Sequence, residues 1–245
     1  MQPRLTRESE DLAIIVPLHN DPAGLPDVIA GAARAIPQPF TVHVAYDSDA
    51  DAERAGAHAL AARHPWIHLA PGDGDPGVVG AVRTAFRTVG RGPTLVTFAG
   101  AGDDLSVVPH MLVLYRQGFR IVCASRFAPG GQQIGGSRLK RAVLRATGRS
   151  LQWLVDFPTC DLNNNFRLYE AALVVDLGIE STEGAELALE LTAKAFRRRE
   201  PIAEVPVVWT DRRGTGTSVG MTSWLSSYQR WYLYALRSGR QPPRR

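Results

Sequence analysis

A chain of 245 residues, 44% hydrophobic and 21% charged, can bury one sizeable core, or one α/β core with an appended lobe, which excludes bulk disorder away from its ends. The net charge of +4 divides unevenly, −3 over residues 1–125 and +7 over 126–245, and the basic excess follows no nucleic-acid motif, so no nucleic-acid partner is expected. Two cysteines make no disulfide framework, and no run approaches ~18 uninterrupted apolar residues, so a reducing compartment and no transmembrane helix or signal core are expected.

Short apolar runs and helical patterns alternate through the first half. Leu12–Leu18 reads as a buried strand, and Leu25–Ala35 as a helix closed by Pro37 and Pro39. Thr41–Tyr46 is a second strand, and Asp51–Arg63 an alanine-rich helix with Asp51 as its N-cap. Trp66–Ala70, Thr94–Phe98 and Arg120–Ala124 are further strands, the last with Cys123 buried in it; helices Gly77–Val89 and Val107–Arg116 lie between them. This rhythm predicts right-handed βαβ units and a mostly parallel sheet. The second half breaks it. A glycine-rich loop, Ala128–Gly136, leads into a basic helix, Arg138–Val155, then a strand-like Phe166–Tyr169 and helices at Glu170–Leu177 and Gly184–Arg199. Ile202–Thr210 reads as one strand; a glycine/threonine loop, Arg213–Gly220, precedes an aromatic helix, Thr222–Leu236. No linker divides the chain. It reads as a tail (1–11), one domain (12–221, with halves 12–125 and 126–221) and a C-terminal helix with a basic tail (222–245).

In an open parallel sheet, ligands bind beyond the carboxyl ends of the strands, so the residues after each strand belong together. Those are Pro17 to Asp21, Asp47 to Asp51, Ala99 to Asp104, and Ser125-Arg126-Phe127. Three acidic clusters on one rim repel one another and call for a cation, and a hard divalent ion that also grips a diphosphate meets that need. Turn and N-cap roles account for Asp47, Asp49 and Asp51 equally well. Asp103-Asp104, directly after a strand and a glycine-rich lead-in, is the better metal pair. No G-x-S-x-G, phosphate-loop or H-E-x-x-H motif is present, and the scattered cysteines and histidines argue against zinc.

These segments together resemble the GT-A glycosyltransferases of the dolichyl-phosphate mannose synthase type. AIIVPLHND is similar to that family's opening strand, YDSDAD to its D-D-x-S-x-D segment and GDDLS to its D-A-D-L-S metal motif. ASRF followed by LKR is similar to G-S-R-Y…L-K-R, DLNNNFRLYE to D-L-T-x-x-F-R-L-Y, and IAEVPVVWTDR to I-x-E-V-P-I…D-R. The likeness runs from about Ala13 to Leu236. It implies a GT-A, Rossmann-like fold with a C-terminal amphipathic helix. It also implies a metal-dependent, inverting transfer of a hexose from GDP-mannose or a UDP-sugar to a polyprenyl phosphate or a small molecule.

The resemblance assigns Pro17, His19, Asp21, Asp47, Asp49 and Arg83 to the nucleotide-sugar. Asp103 and Asp104 would hold Mg²⁺ or Mn²⁺, and Asp103 would also touch the donor. Arg126, Lys140, Arg141 and Arg145 would face the acceptor, and Arg212 a phosphate. The catalytic set is then Asp103, Asp104, Arg126 and Arg212, with Asp103 or Glu190 as base should the acceptor be a hydroxyl. Asp161 and Arg167 match family positions and also read as a buried ion pair. The expected place is cytoplasmic, at the inner face of the membrane, with the C-terminal helix touching lipid or a second subunit. Gly102 and Val219 depart from the family pattern. They leave open a nucleotide-sugar-binding protein that has lost catalysis; a nucleotidyltransferase is the other alternative.

Overall fold

The computed structural model describes residues 11–18, 24–47, 49, 56–72, 74, 77–100, 102–211 and 221–239, with the backbone alone for 221–227. Strands β1 (Leu12–Pro17), β2 (Phe40–Tyr46), β3 (Ile67–Pro71), β4 (Pro93–Val96), β5 (Ile121–Ser125), β7 (Arg167–Glu170) and β8 (Ile202–Pro206) form one sheet, in the order β3-β2-β1-β4-β7-β5-β8. All run parallel except β7, which is antiparallel to both β4 and β5. Between the strands lie α1 (Leu25–Ala35), α2 (Ala57–Arg63), α3 (Val78–Val89) and α4 (Val108–Arg116). A short strand β6 (Gln132–Ile134) precedes α5 (Arg138–Val155). Helices α6 (Ala171–Leu177) and α7 (Leu187–Arg197) follow β7. Strand β9 (Val208–Thr210) and α8 (Met221–Leu236) complete the described chain.

Successive strand residues point to opposite faces, so the apolar runs supply two cores at once. Ile14, Val16, Val44, Leu95 and Val122 pack under α1 and α4; Ile15, Ala45, Val96, Ile121 and Tyr169 pack under α3, α6 and α7. Helix boundaries follow local chemistry. The chain leaves α1 at Ile36, which sits before Pro37 and is held extended (φ −113°, ψ 105°). Ser137 caps α5 by accepting from the Lys140 amide.

Four expectations change. Ile202–Thr210 is two strands: after Pro206, which has no amide hydrogen, Val207 bonds to Ser125 and Gln132, and the chain moves from β5 to β6. Strand β6 lies inside what reads as a loop. The alanine-rich helix is described only from Ala57, entered through Gly56 at φ 62°, and its expected cap Asp51 lies outside the described residues. Helix α7 begins at Leu187, because Glu186 turns back to accept from the amides of Thr182 and Glu183.

The aromatic C-terminal helix packs on its own chain. Tyr228, Trp231 and Ala235 join Leu151 and Val155 of α5 and Leu189, Ala193 and Phe196 of α7 in a third core. The Tyr232 hydroxyl lies 2.7 Å from Ser150 Oγ. Trp224 of the same stripe lies where side chains are outside the described set.

Candidate functional site

Because β1, β2, β4 and β5 are parallel, Pro17, Asp47, Asp103-Asp104 and Arg126 emerge at one edge of the sheet. The strand order reverses between β1 and β4, the place where an open α/β sheet leaves a crevice. Strand β7 runs the other way, so the segment before it, Asp161 to Phe166, starts from the same edge. Strand β8 parallels β5, which brings β9 and Asp211 there as well.

At the end of β4 the two aspartates are held differently. Thr97 Oγ1 donates to Asp103 Oδ2 at 2.9 Å. Asp104 Oδ1 accepts from the Ser106 amide at 3.0 Å and caps the 3-10 turn Leu105–Val107. Its Oδ2 has no partner among the described residues. Gly100 and Gly102 take positive φ (73° and 72°), the region glycine tolerates best, and the Gly102 carbonyl accepts from Thr210 of β9 at 3.3 Å. Asp47 and Asp49 are exposed, and among the described residues no three acidic, cysteine or histidine side chains converge on one point. Two adjacent carboxylates, an all-oxygen donor set, fit Mg²⁺ or Mn²⁺, ions that complete their shells with substrate phosphates and water. Asp103 and Asp104 would be the protein's share of that shell.

Arg126 is fixed more tightly than its sequence context suggests. Its backbone amide and Nε donate to Asp161 Oδ2 at 2.9 and 2.8 Å. Nη2 donates to Asp161 Oδ1 at 2.8 Å and to Asn163 Oδ1 at 2.7 Å. The guanidinium carbon lies 5.2 Å from the Phe127 ring centre and 5.6 Å from that of Trp209. Burial works against its charge. The Asp161 carboxylate outweighs that, with Asp103 adding a smaller pull, and holds the group charged. Asp103 and Arg126 therefore act on each other across the rim, and Nη1 is left without a partner among the described residues.

Asp161 thus pairs with Arg126, and the expected Asp161–Arg167 ion pair is replaced. Arg167 is fully buried and donates to the carbonyls of Asn164 (2.8 Å), Ala188 (2.8 Å) and Asp161 (2.5 Å), and to Thr192 Oγ1. It welds β7 to α7. Glu190, the alternative base, is fully buried and accepts from the amides of Glu180 and Ser181 and from Lys194, so its carboxylate is committed to holding α7 to the turn before it. Arg83, on the body of α3, donates to the Ile179 carbonyl at 3.1 Å and, with Arg87, Val175 and Gly178, lines a shallow cleft against α6. Its described contacts do not join it to the rim carboxylates.

Lys140 and Arg145 are exposed on α5, and Arg141 is tethered through Nη1 to the Gln133 carbonyl at 3.0 Å. His19, Asp21 and Arg212 lie outside the described residues. Sequence reasoning missed Thr97, Asn163 and Trp209. Only Asn163 left a signal, the unusual run Asn163-Asn164-Asn165 just before a buried strand.

The sheet order and its flanking helices are those of the GT-A fold. No protein-family model matches the chain. It is similar to the dolichyl-phosphate hexose transferase of Haloferax volcanii, 27% identical over 205 residues that cover 84% of this chain and 85% of the relative. It is likewise similar to the polyprenol monophosphomannose synthase of Mycolicibacterium smegmatis, 25% identical over 221 residues, 86% of this chain and 81% of that one. Among solved structures, glucosyl-3-phosphoglycerate synthase from Mycobacterium tuberculosis, in complex with Mn²⁺, UDP and glucosyl-3-phosphoglycerate, superposes with a TM-score of 0.62 at 13% identity. That match covers 95% of this chain and 81% of the other. A Pyrobaculum calidifontis mannosyltransferase bound to GDP-mannose and Mn²⁺ gives 0.63 at 18% identity, over 95% of this chain and 66% of the other. The relatives are glycosyltransferases and the neighbours share the fold, as the motif order implies.

Proposed function

We propose that this chain transfers a hexose from a nucleoside-diphosphate sugar to the phosphate of a polyprenyl acceptor, with inversion at the sugar carbon. The observation that carries this is the meeting at one rim of an adjacent carboxylate pair (Asp103, Asp104), Asp104 with one oxygen unpartnered among the described residues, and a pre-aimed guanidinium (Arg126). The two relatives are named for dolichyl phosphate and polyprenol monophosphomannose, which favours that acceptor over a small soluble one.

A divalent ion, Mg²⁺ or Mn²⁺, would supply Lewis-acid stabilisation of the diphosphate as it departs. Asp103 and Asp104 would hold it, and Thr97 fixes the Asp103 rotamer beforehand. Arg126, with Asp161 and Asn163 occupying two of its nitrogens, offers Nη1 to an incoming phosphate oxygen. Arg212, Lys140, Arg141 and Arg145 supply further positive charge for phosphate. Pro17, His19, Asp21, Asp47 and Asp49 are assigned to the nucleoside end of the cleft. An acceptor phosphate is already anionic near neutral pH, so the attacking oxygen needs no general base.

Thermal denaturation with GDP-, UDP-, CDP- and dTDP-sugars, with and without Mn²⁺, tests the donor half. One sugar class should raise the melting temperature, and more so with Mn²⁺, because a ligand bound only by the folded state stabilises it. No shift with any of them would sink the assignment. Stabilisation without turnover would mark a binding protein that has lost catalysis.

A further inference from the structure

We infer that the outward face of α5 is a docking surface for an anionic bilayer, and that this helix, rather than α8, carries the membrane contact. The inner side of α5 is set by Leu144, Gly148, Leu151 and Val155, all buried. On its far side Leu139 is 76% exposed, Val143 49%, Trp153 75% and Leu154 41%. At 3.6 residues per turn these four fall within an arc of about 100°. Single exposed hydrophobics are ordinary, but a stripe anchored by a tryptophan and a leucine, each three-quarters in water, is not.

Charge identifies the occupant. Arg138, Arg145 and Arg149 lie along one edge of that stripe, within about 40° of one another, and no acidic residue occurs from 138 to 155. A helix about 27 Å long with an apolar stripe, a tryptophan and a row of arginines has the make-up of one that lies flat among head groups. Anionic lipid complements the arginine row. A second copy does not: an antiparallel two-fold pairing through the stripe sets the arginines beside their own duplicates. Among the described side chains of α8 the aromatic side is already used inside the third core and Leu233, at 39%, is the one exposed large hydrophobic, whereas α5 presents four. Arg141 ties the start of α5 to β6, and β6 pairs with β9 at the rim, so contact along α5 brings the cleft to the lipid surface.

Co-sedimentation of the full chain with phosphatidylcholine vesicles, with and without phosphatidylglycerol, tests this. Binding should need the anionic lipid and weaken with added salt. The double variant Leu139→Ser, Trp153→Ser should lower the partition coefficient about tenfold or more while melting temperature and donor hydrolysis in solution stay unchanged. Equal binding by the variant, or equal binding to neutral vesicles, overturns the proposal. So does a dimer of the wild type, seen by light scattering, that the variant abolishes. Vesicle binding reads this surface alone, so a negative result leaves the transferase reading standing.

Discussion

The most consequential single side chain is Arg126, because what holds it also aims it. Five donors in a fixed plane suit two carboxylate oxygens, an amide oxygen and one further anion at once, and lysine has no such fork. Arg126→Lys should therefore lower kcat/KM at least tenfold, with a fall in melting temperature smaller than that of removing Asp161, because a positive charge stays beside the carboxylate. A steady-state assay beside a melting curve checks both. Asp161→Ala should do the opposite kind of damage: it strands a guanidinium whose side chain is only 9% exposed, a loss of about 3–5 kcal/mol readable by urea denaturation. His43 sets an acid limit. Burial, then the charge of His68, pushes it down from 6.5 to about 4. Its folded form resists protonation while the unfolded form accepts a proton below 6.5. Its stabilising contribution is therefore complete above pH 6.5, declines as the pH falls and is gone below about 4, a total of about 3 kcal/mol. His43→Leu should flatten the slope of unfolding free energy against pH across that window. An unchanged slope would refute the assignment.

At the scale of elements, the position of α5 depends on one absent side chain. A Cβ on Gly148 would sit 1.9 Å from the Cys160 carbonyl oxygen, so the helix rests directly on the loop that supplies Asp161. Gly148→Ala should force helix and loop apart, costing about 1–3 kcal/mol and, unlike an ordinary overpacked core, weakening use of the acceptor as well. Calorimetry beside acceptor titration would show whether the two losses come together. Trp231→Ala should cost about 3–5 kcal/mol in a denaturant melt, because α8 is anchored in the third core.

The sequence made β1 to β5 and their helices legible, because period-two and period-3.6 patterns are local. It hid the direction of β7, the short β6 and the break between β8 and β9, which depend on partners far along the chain. The site divides the same way. Asp103, Asp104 and Arg126 could be read from their places just after strands. The Asp161 clamp could not, because it exists only once β7 runs backward and brings a loop 35 residues away to the same edge. A charged pair of family-like residues, Asp161 and Arg167, pointed to the nearer and wrong partner.

Over the whole molecule, a nearly parallel sheet gathers the strand-end loops at one edge, and a single reversed strand adds the clamp for Arg126 to that edge. Charge follows the same plan: the aspartates come from the first, acidic half and Arg126 with the α5 cations from the second, basic half. No described helix is long and apolar enough to cross a membrane. The most direct measurement is transfer of labelled hexose from the donor sugar found by thermal shift to polyprenyl phosphate, for the wild type and Asp104→Ala, with Mn²⁺ and with chelator. The account predicts product only with the divalent ion and a loss of about 10²–10³-fold in the variant. Product formed equally well by Asp104→Ala, or in the presence of chelator, would contradict it.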